Sequence, residues 1–449
     1  MNLAKHLDIR NLLPNLHRQK HNKNMDKTYK KRIADKLLSE QLEAAGAVLI
    51  QGPKWCGKTT TAQQAAASSL FLDAPSTMKA NLMLAETNPE IILEGKVPRL
   101  IDEWQLAPTL WDAARFTVSQ RGKTGQFIFT GSAVPADMSA ITHSGTGRFS
   151  WLTMRPMSLQ ESGESNATVS LGNLFQTGKA AAIAANLDLM RLAFLLCRGG
   201  WPGTLQLPEK ASLRQANNYV DAVVNSDISR IDNVTRNPDF ARKLLRSYSR
   251  YQGAQVSLKK IAEDILAGGS NNFSIDTLYD YVTALKKIFV IEDMEAWSPN
   301  LRSKTAIRTS DTRYFIDPSI ATSALGVGPD DLINDLNTMG LVFETMAVRD
   351  LRVYADALDG KVYHYRDKNG LECDAVVHLR NGKYGLVEVK LGGDSLIESG
   401  AKTLKALAAK IDTEKMNAPS FMMVLTGVGT YAYTRTDGVT VVPISALGV

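Results

Sequence analysis

The sequence predicts an α/β protein built in three parts behind a basic arm, and three stretches predict it. A short apolar run, Ala47–Ile50, leads into a glycine-containing loop and then into a segment rich in Ala and Gln, the pattern of strand, loop and helix. From Met190 to Ala267 apolar residues recur at three- and four-residue spacing, the helical period. Leu371–Leu379 and Lys383–Leu391 are two apolar runs separated by Arg380-Asn381-Gly382, the pattern of a β-hairpin. The length of 449 residues suits roughly three domains of about 150 residues each. With 44% hydrophobic and 22% charged residues, bulk disorder and fibrous architectures are excluded. The expected divisions are an arm over 1–36, an α/β domain over 37–190, a helical section over 191–330 and a second α/β domain over 331–449.

Charge and cysteine usage narrow the class. The chain carries 52 Lys+Arg against 46 Asp+Glu, a net charge of +6. Residues 1–36 hold ten basic and three acidic side chains, or +7, so residues 37–449 sum to −1. The basicity therefore belongs to the arm, which would either touch phosphates or be a solvated tail, and Met25 is an alternative start. No run approaches the ~20 consecutive apolar residues of a membrane helix, so no membrane partner is expected. Cys56, Cys197 and Cys373 are the three cysteines, far apart and without a Cys/His cluster. That usage excludes a disulfide framework and a zinc site, and fits a reducing cytoplasm.

The loop after Ala47–Ile50 is Gly52-Pro53-Lys54-Trp55-Cys56-Gly57-Lys58-Thr59, followed by Thr60 in the helix. This is the GxxxxGK[ST] spacing of a P-loop, in its required strand–loop–helix context. Glycines let backbone N–H groups wrap a phosphate, and the helix N-terminus adds a favourable dipole. Lys58 would reach the β- and γ-phosphates of ATP, and the Thr59 hydroxyl would ligate Mg²⁺. Arg99–Asp102 reads as a second strand ending in Asp102-Glu103, 44 residues beyond Lys58. Asp102 would hold Mg²⁺ and Glu103 would act as general base toward the attacking water. A third strand, Gln126–Thr130, ends in Thr130-Gly131-Ser132, where Thr130 either senses the γ-phosphate or forms an ordinary turn. Arg148, after the polar loop Met138–Ser144, is either an arginine finger acting in cis or on a neighbouring subunit, or a loop-end residue packed on a carboxylate. Alternation of strand and helix argues a parallel sheet covered on both faces, a P-loop NTPase sheet.

In the helical section, Arg242, Arg246 and Arg250 share one stripe with Tyr248 and Tyr251 nearby, either a nucleic-acid contact or a solvated basic face. Ser257 and Ser274 read as N-caps of two helices, the second running to about Lys287, and Phe289–Met294 reads as a strand. Helix, turn, helix and strand hairpin make a winged helix. Its second helix, however, carries Asp276 and Asp280 where a DNA-reading helix meets the groove, and carboxylates repel phosphates. A packing or protein-contact role is expected for it.

The final third reads as a helix over about Leu332–Leu351, containing Glu344, and then the hairpin with Asp374, Glu388 and Lys390. An acidic residue followed by Glu-x-Lys on adjacent strands is the PD-(D/E)xK arrangement, so a nuclease-like α/β domain is expected. Asp374 and Glu388, with Glu344 as a third carboxylate, would hold Mg²⁺, and Lys390 would position or deprotonate a water. Side chains alternate along strands, so a two-residue Asn381-Gly382 turn puts Glu388 on the wrong face. A three-residue loop with Gly382 in the left-handed region pairs Asp374 with Glu388 directly, and an active site is expected to have that loop or an equivalent bulge. His364 and His378 read as polar strand positions.

Several of these strings resemble a known family: Ala47–Thr60, Ile101-Asp102-Glu103-Trp104-Gln105, Thr130-Gly131-Ser132 and Gly147-Arg148, together with Arg155-Pro156-Met157-Ser158 and Gly199-Gly200-Trp201-Pro202. From about Tyr29 to the C-terminus the chain looks like the prokaryotic AAA-type ATPases fused to a C-terminal domain of unknown function (the 4143 family) with a restriction-endonuclease-like core. The resemblance implies a winged-helix unit between the two. It implies nucleotide and Mg²⁺ roles for Lys58, Thr59, Asp102 and Glu103, and no catalytic role for Trp55 or Cys56. The expected function is a Mg²⁺-dependent ATPase coupled to nucleic-acid processing or defence. The alternative is an ATP-driven switch whose nuclease-like domain binds partners without cleaving DNA. Candidate partners are ATP, DNA and other protein subunits.

Overall fold

A computed structural model describes residues 29–132, 144–232, 234–268, 273–299 and 310–449. Most of the arm, Met25, most of Met138–Ser144 and the 269–272 turn lie outside the described residues. The chain forms two compact units. The first comprises residues up to Gln51, Lys58–Gly131 and a stretch ending at Leu152, and the second comprises Thr153–Val449 together with the loop Gly52–Gly57.

The first unit is built on strands β1 (Ala47–Gln51), β2 (Ser68–Phe71), β3 (Arg99–Asp102), β4 (Phe127–Gly131) and β5 (Phe149–Thr153). They lie in the order β2-β3-β4-β1-β5, with parallel pairing from β2 through β3 and β4 to β1. Ala47, Val48, Leu49 and Ile50 are all buried, as expected of a strand covered on both faces. The register pairs Gln51 with Gly131 and Phe71 with Asp102. Because the strands are parallel, the loop after Gln51, the Asp102 carboxylate and Thr130 all emerge at one sheet edge, where ligands of open α/β sheets bind. Helices Lys58–Ala65, Met78–Thr87 and Thr109–Arg121 connect the strands. Trp104, Trp111, Phe129 and Phe149 fill the core between the Thr109–Arg121 helix and the sheet, with Trp111 stacked on Phe149 at 3.9 Å between ring centroids. Each such buried side chain contributes about 1.5–3 kcal/mol.

The second unit opens with β6 (Val169–Ser170) and β7 (Ala181–Ile183), then helices Leu189–Arg198, Glu209–Ala222 and Pro238–Arg250. Helices Leu258–Ala267 and Ile275–Lys287 follow, capped by Ser257 and Ser274, whose side chains accept from Lys260 and Thr277 N–H groups. The strand expected at Phe289–Met294 is not one. Phe289 adopts φ +58°, which breaks extended backbone, and only isolated antiparallel bridges remain, Ile291 with Phe315 and Met294 with Thr312. Asp280 pairs with the buried Arg236 at 3.0 Å.

Beyond helices Pro318–Leu325, Pro329–Asn334 and Leu336–Asp356 come β8 (Gly360–Arg366), β9 (Glu372–Leu379), β10 (Tyr384–Lys390), β11 (Phe421–Thr426), β12 (Tyr431–Thr434), β13 (Thr440–Pro443) and β14 (Leu447–Gly448). Seven strands form one mixed sheet in the order β7-β12-β13-β11-β10-β9-β8, and β14 pairs with β6. The helix Asp394–Lys410 packs Ala401, Leu404 and Leu407 into the core with Leu386 and Val424. Two of the strings that carry the resemblance, Arg155-Pro156-Met157-Ser158 and Gly199-Gly200-Trp201-Pro202, meet in this unit. Met157 N–H donates to the Gly200 carbonyl at 2.6 Å, and Gly200 N–H donates to Asp317 at 2.9 Å. Arg349 bridges Asp317 and Asp350 at 2.8 and 2.7 Å with all three side chains buried. Asp350 in turn accepts from Leu159 N–H. Removing one member of such a buried set costs about 3–5 kcal/mol, so these motifs hold the fold.

Candidate functional site: a phosphate cradle and a carboxylate–lysine hairpin

In the loop between β1 and the Lys58–Ala65 helix, Gly52 has φ +151°, and a Cβ there would lie 2.1 Å from the Met154 carbonyl oxygen, so only glycine fits. Cys56 is buried, and its Sγ donates to the same carbonyl at 3.4 Å. Trp55 sits half-exposed at φ +71°, and Lys54 pairs with Asp227 at 2.6 Å. Gly57 has φ +98°, and Lys58, which opens the helix, is buried. Thr59 Oγ1 donates to Asp102 Oδ1 at 2.8 Å, and the Thr130 hydroxyl donates to the same oxygen. Burial pushes the Asp102 carboxyl up, and the two hydroxyl hydrogen bonds oppose that shift. Two residues remote in sequence, Thr59 and Thr130, thus meet at the Asp102 carboxylate.

Glu103 adopts the left-handed conformation, φ +55°, immediately after β3. Its carboxylate accepts from Gln105 Nε2, a contact the sequence did not signal although Gln105 lies in the same Ile101–Gln105 string. Among the described residues Arg148 bonds Ser119 Oγ at 3.2 Å and the Thr146 carbonyl at 3.5 Å, and it is exposed. The chemistry of the first set suits a nucleotide with its cation. A lysine and loop amides suit phosphate, and a threonine hydroxyl beside a carboxylate offers the oxygen donors Mg²⁺ takes.

In the second unit, β9 and β10 pair Tyr384 with His378 and Val387 with Ala375. That register continues to place Glu388 opposite Asp374. The connection is the three-residue loop Arg380-Asn381-Gly382 with Gly382 at φ +85°, the one of the two weighed loops that brings the carboxylates together. Lys390 Nζ lies 2.7 Å from Glu388 Oε2 and 3.3 Å from Asp374 Oδ2, and Val389 N–H donates to Asp374 Oδ2 at 2.7 Å. Burial, then the charge of Asp374, pushes the Glu388 carboxyl up to about 8. Burial pulls the Lys390 ammonium down, but the two carboxylates outweigh it and hold its pKa above the usual lysine value. Glu344 accepts from the Tyr314 hydroxyl, and burial followed by Asp374 pushes its carboxyl well up. Nothing in the sequence signalled Tyr314. Among the described residues no group of three or more His, Cys, Asp or Glu has the geometry to hold a metal. As arranged, Asp374, Glu388 and Lys390 form an ion-paired set, not an open ring of carboxylates. His364 is buried, with Nδ1 2.8 Å from Gln255 Nε2.

The parallel sheet, the loop and the acidic strand end define an ATPase-like P-loop domain. Comparison with known families agrees: residues 44–163 match the AAA domain family. Residues 190–331 and 339–447 match two domains of unknown function, DUF8612 and DUF4143. No curated protein matches the chain. Among solved structures the chain is similar to the Walker-type ATPase PABY2304 of Pyrococcus abyssi, with 14% identity, 67% of this chain and 96% of that chain covered, and a TM-score of 0.38. It is also similar to the Aeropyrum pernix ORC1 protein in complex with DNA (12% identity, 69% and 96% covered, TM-score 0.24). A third is the Pyrococcus furiosus Hef helicase domain (11% identity, 89% and 90% covered, TM-score 0.20). No helix among the described residues is long and apolar enough to cross a membrane.

Proposed function

We propose that the protein is a Mg²⁺-dependent ATPase whose cycle is coupled to nucleic-acid processing in the cytoplasm. The observation that carries the ATPase half is the convergence of the Thr59 and Thr130 hydroxyls on Asp102, beside the buried Lys58. Lys58 grips the β- and γ-phosphates, and the loop amides of Gly52–Thr59 orient them. Thr59 and Asp102 hold the Mg²⁺, which when bound offsets phosphate charge. Glu103 orients the attacking water and takes its proton, worth about 10²–10⁴ in rate for a positioned base. Thr130 registers the γ-phosphate through the oxygen it shares with Thr59. Arg148, held by Ser119 and Thr146 in this state, is the residue to supply charge to the transition state. In this reading the functional parts are residues 37–190, 191–330 and 331–449.

The nucleic-acid half rests on the hairpin register that sets Asp374 against Glu388 with Lys390 touching both. A second reading, a regulatory switch whose C-terminal domain only binds partners, is favoured by that same lysine, because cleavage requires Lys390 to release the carboxylates it neutralises. ATP turnover with and without DNA, in wild type and Lys58→Ala, tests the proposal. Stimulation by DNA, lost in Lys58→Ala, supports the coupling, and equal turnover in both proteins overturns it. Mg²⁺-dependent DNA cleavage abolished by Asp374→Ala selects the first reading, and intact DNA under every condition selects the second.

A further inference from the structure

The helical part of the second unit forms a half-open cavity of about 620 Å³ that has no part in the site above. That volume lies within the ~300–1,000 Å³ typical of small-ligand pockets. Its floor is apolar, supplied by Leu213 and Val220 of the Glu209–Ala222 helix, Leu245 of the Pro238–Arg250 helix, and Val327. Cys197 also faces it, and burial pushes that thiol up to about 12, so it stays neutral and repels no anion. Three basic side chains, Arg242, Lys243 and Arg246, line the cavity against one acidic, Asp221.

The pairing of the arginine stripe singles out this cavity. Arg242 pairs with Asp221 at 3.3 Å, and Arg250 pairs with Asp264 at 2.6 Å. Arg246 lies one turn from each and lines the cavity, yet it has no hydrogen bond or ion pair among the described residues. The Asn217 amide and the Ser323 hydroxyl line the same space and are likewise uncommitted there. A charged donor, an amide and a hydroxyl therefore line one space with apolar side chains, the composition of a pocket that fixes a ligand by a few polar groups.

We propose that this cavity is an effector site for a small phosphate monoester with a planar or apolar body, of nucleoside monophosphate size. Arg246 binds the phosphate through charge-assisted hydrogen bonds, the floor takes the body, and Asn217 and Ser323 meet its polar edge. The test is calorimetric titration of AMP into the full-length Lys58→Ala chain, which removes the P-loop's main phosphate grip. Saturable one-to-one binding is expected. Arg246→Glu, at an exposed position, should weaken it at least tenfold with an unchanged melting temperature. Arg250→Gln, one turn away and outside the cavity, should change it less than twofold. Absence of AMP binding overturns the proposal, as does equal weakening by both variants, which would mean diffuse charge attraction. Inorganic phosphate binding as tightly as AMP would remove the role of the floor. A single-stranded oligonucleotide displacing AMP with at least tenfold higher affinity would make the surface a nucleic-acid contact instead. Because the titration uses the Lys58→Ala chain, its failure leaves the ATPase reading untouched.

Discussion

Asp102 and Glu388 are both buried carboxylates near strand ends, 5% and 4% exposed, yet their partners are opposite in kind. Asp102 accepts from two neutral hydroxyls, Thr59 and Thr130. Glu388 faces an ammonium, Lys390, which also holds Asp374. A carboxylate kept by hydroxyls has no cation on it, whereas one beside a lysine already has a cation in place. On the proposed reading, the contrast separates a site open to Mg²⁺ from one that must first rearrange. Desolvation raises both carboxyls, so it is the partner, not burial, that distinguishes them.

The largest expected effect breaks the first side of the comparison. Glu103→Gln should lower kcat for ATP on the order of 10²–10³-fold while leaving ATP affinity within about threefold, since the change removes a base and keeps its shape. Steady-state turnover beside equilibrium binding would check this, and a parallel loss of both would make Glu103 a binding residue.

A smaller effect sharpens the second side. With its carboxyl raised from 4.5 to about 8, folded Glu388 holds a proton that the unfolded chain has already released. Its contribution to stability is therefore complete below pH about 4.5 and is lost as pH rises through about 8. Glu388→Gln mimics the protonated form, so the melting-temperature gap between Glu388→Gln and wild type should open in favour of the variant across that interval. A gap that stays flat with pH would mean that Lys390 compensates the carboxylate fully.

The smallest effect concerns the turn that sets the register. Gly382→Ala places a Cβ at φ +85° and should cost about 1–2 kcal/mol, read by chemical denaturation, with the β9–β10 pairing kept.

The sequence made the first unit legible because its signals are local. The run Ala47–Ile50 and the glycine spacing after it specify strand, loop and helix within twenty residues. The hairpin register was also legible, since side-chain parity allows few loops between Asp374 and Glu388, and Gly382 can take the left-handed position. Contacts that depend on distant segments were not legible. Tyr314 reaches Glu344 and Thr130 reaches Asp102 across 30 and 28 residues. The expected strand at Phe289–Met294 failed for a local reason, the left-handed turn at Phe289, which its apolar pattern does not reveal.

Calorimetric titration of a non-hydrolysable ATP analogue with Mg²⁺, into wild type and Lys58→Ala, tests the central claim most directly. The account predicts one-to-one binding to wild type that weakens on the order of 100-fold in Lys58→Ala, the effect of losing a charged hydrogen-bond donor to phosphate. Equal affinity in the two proteins, or no binding to either, would contradict it.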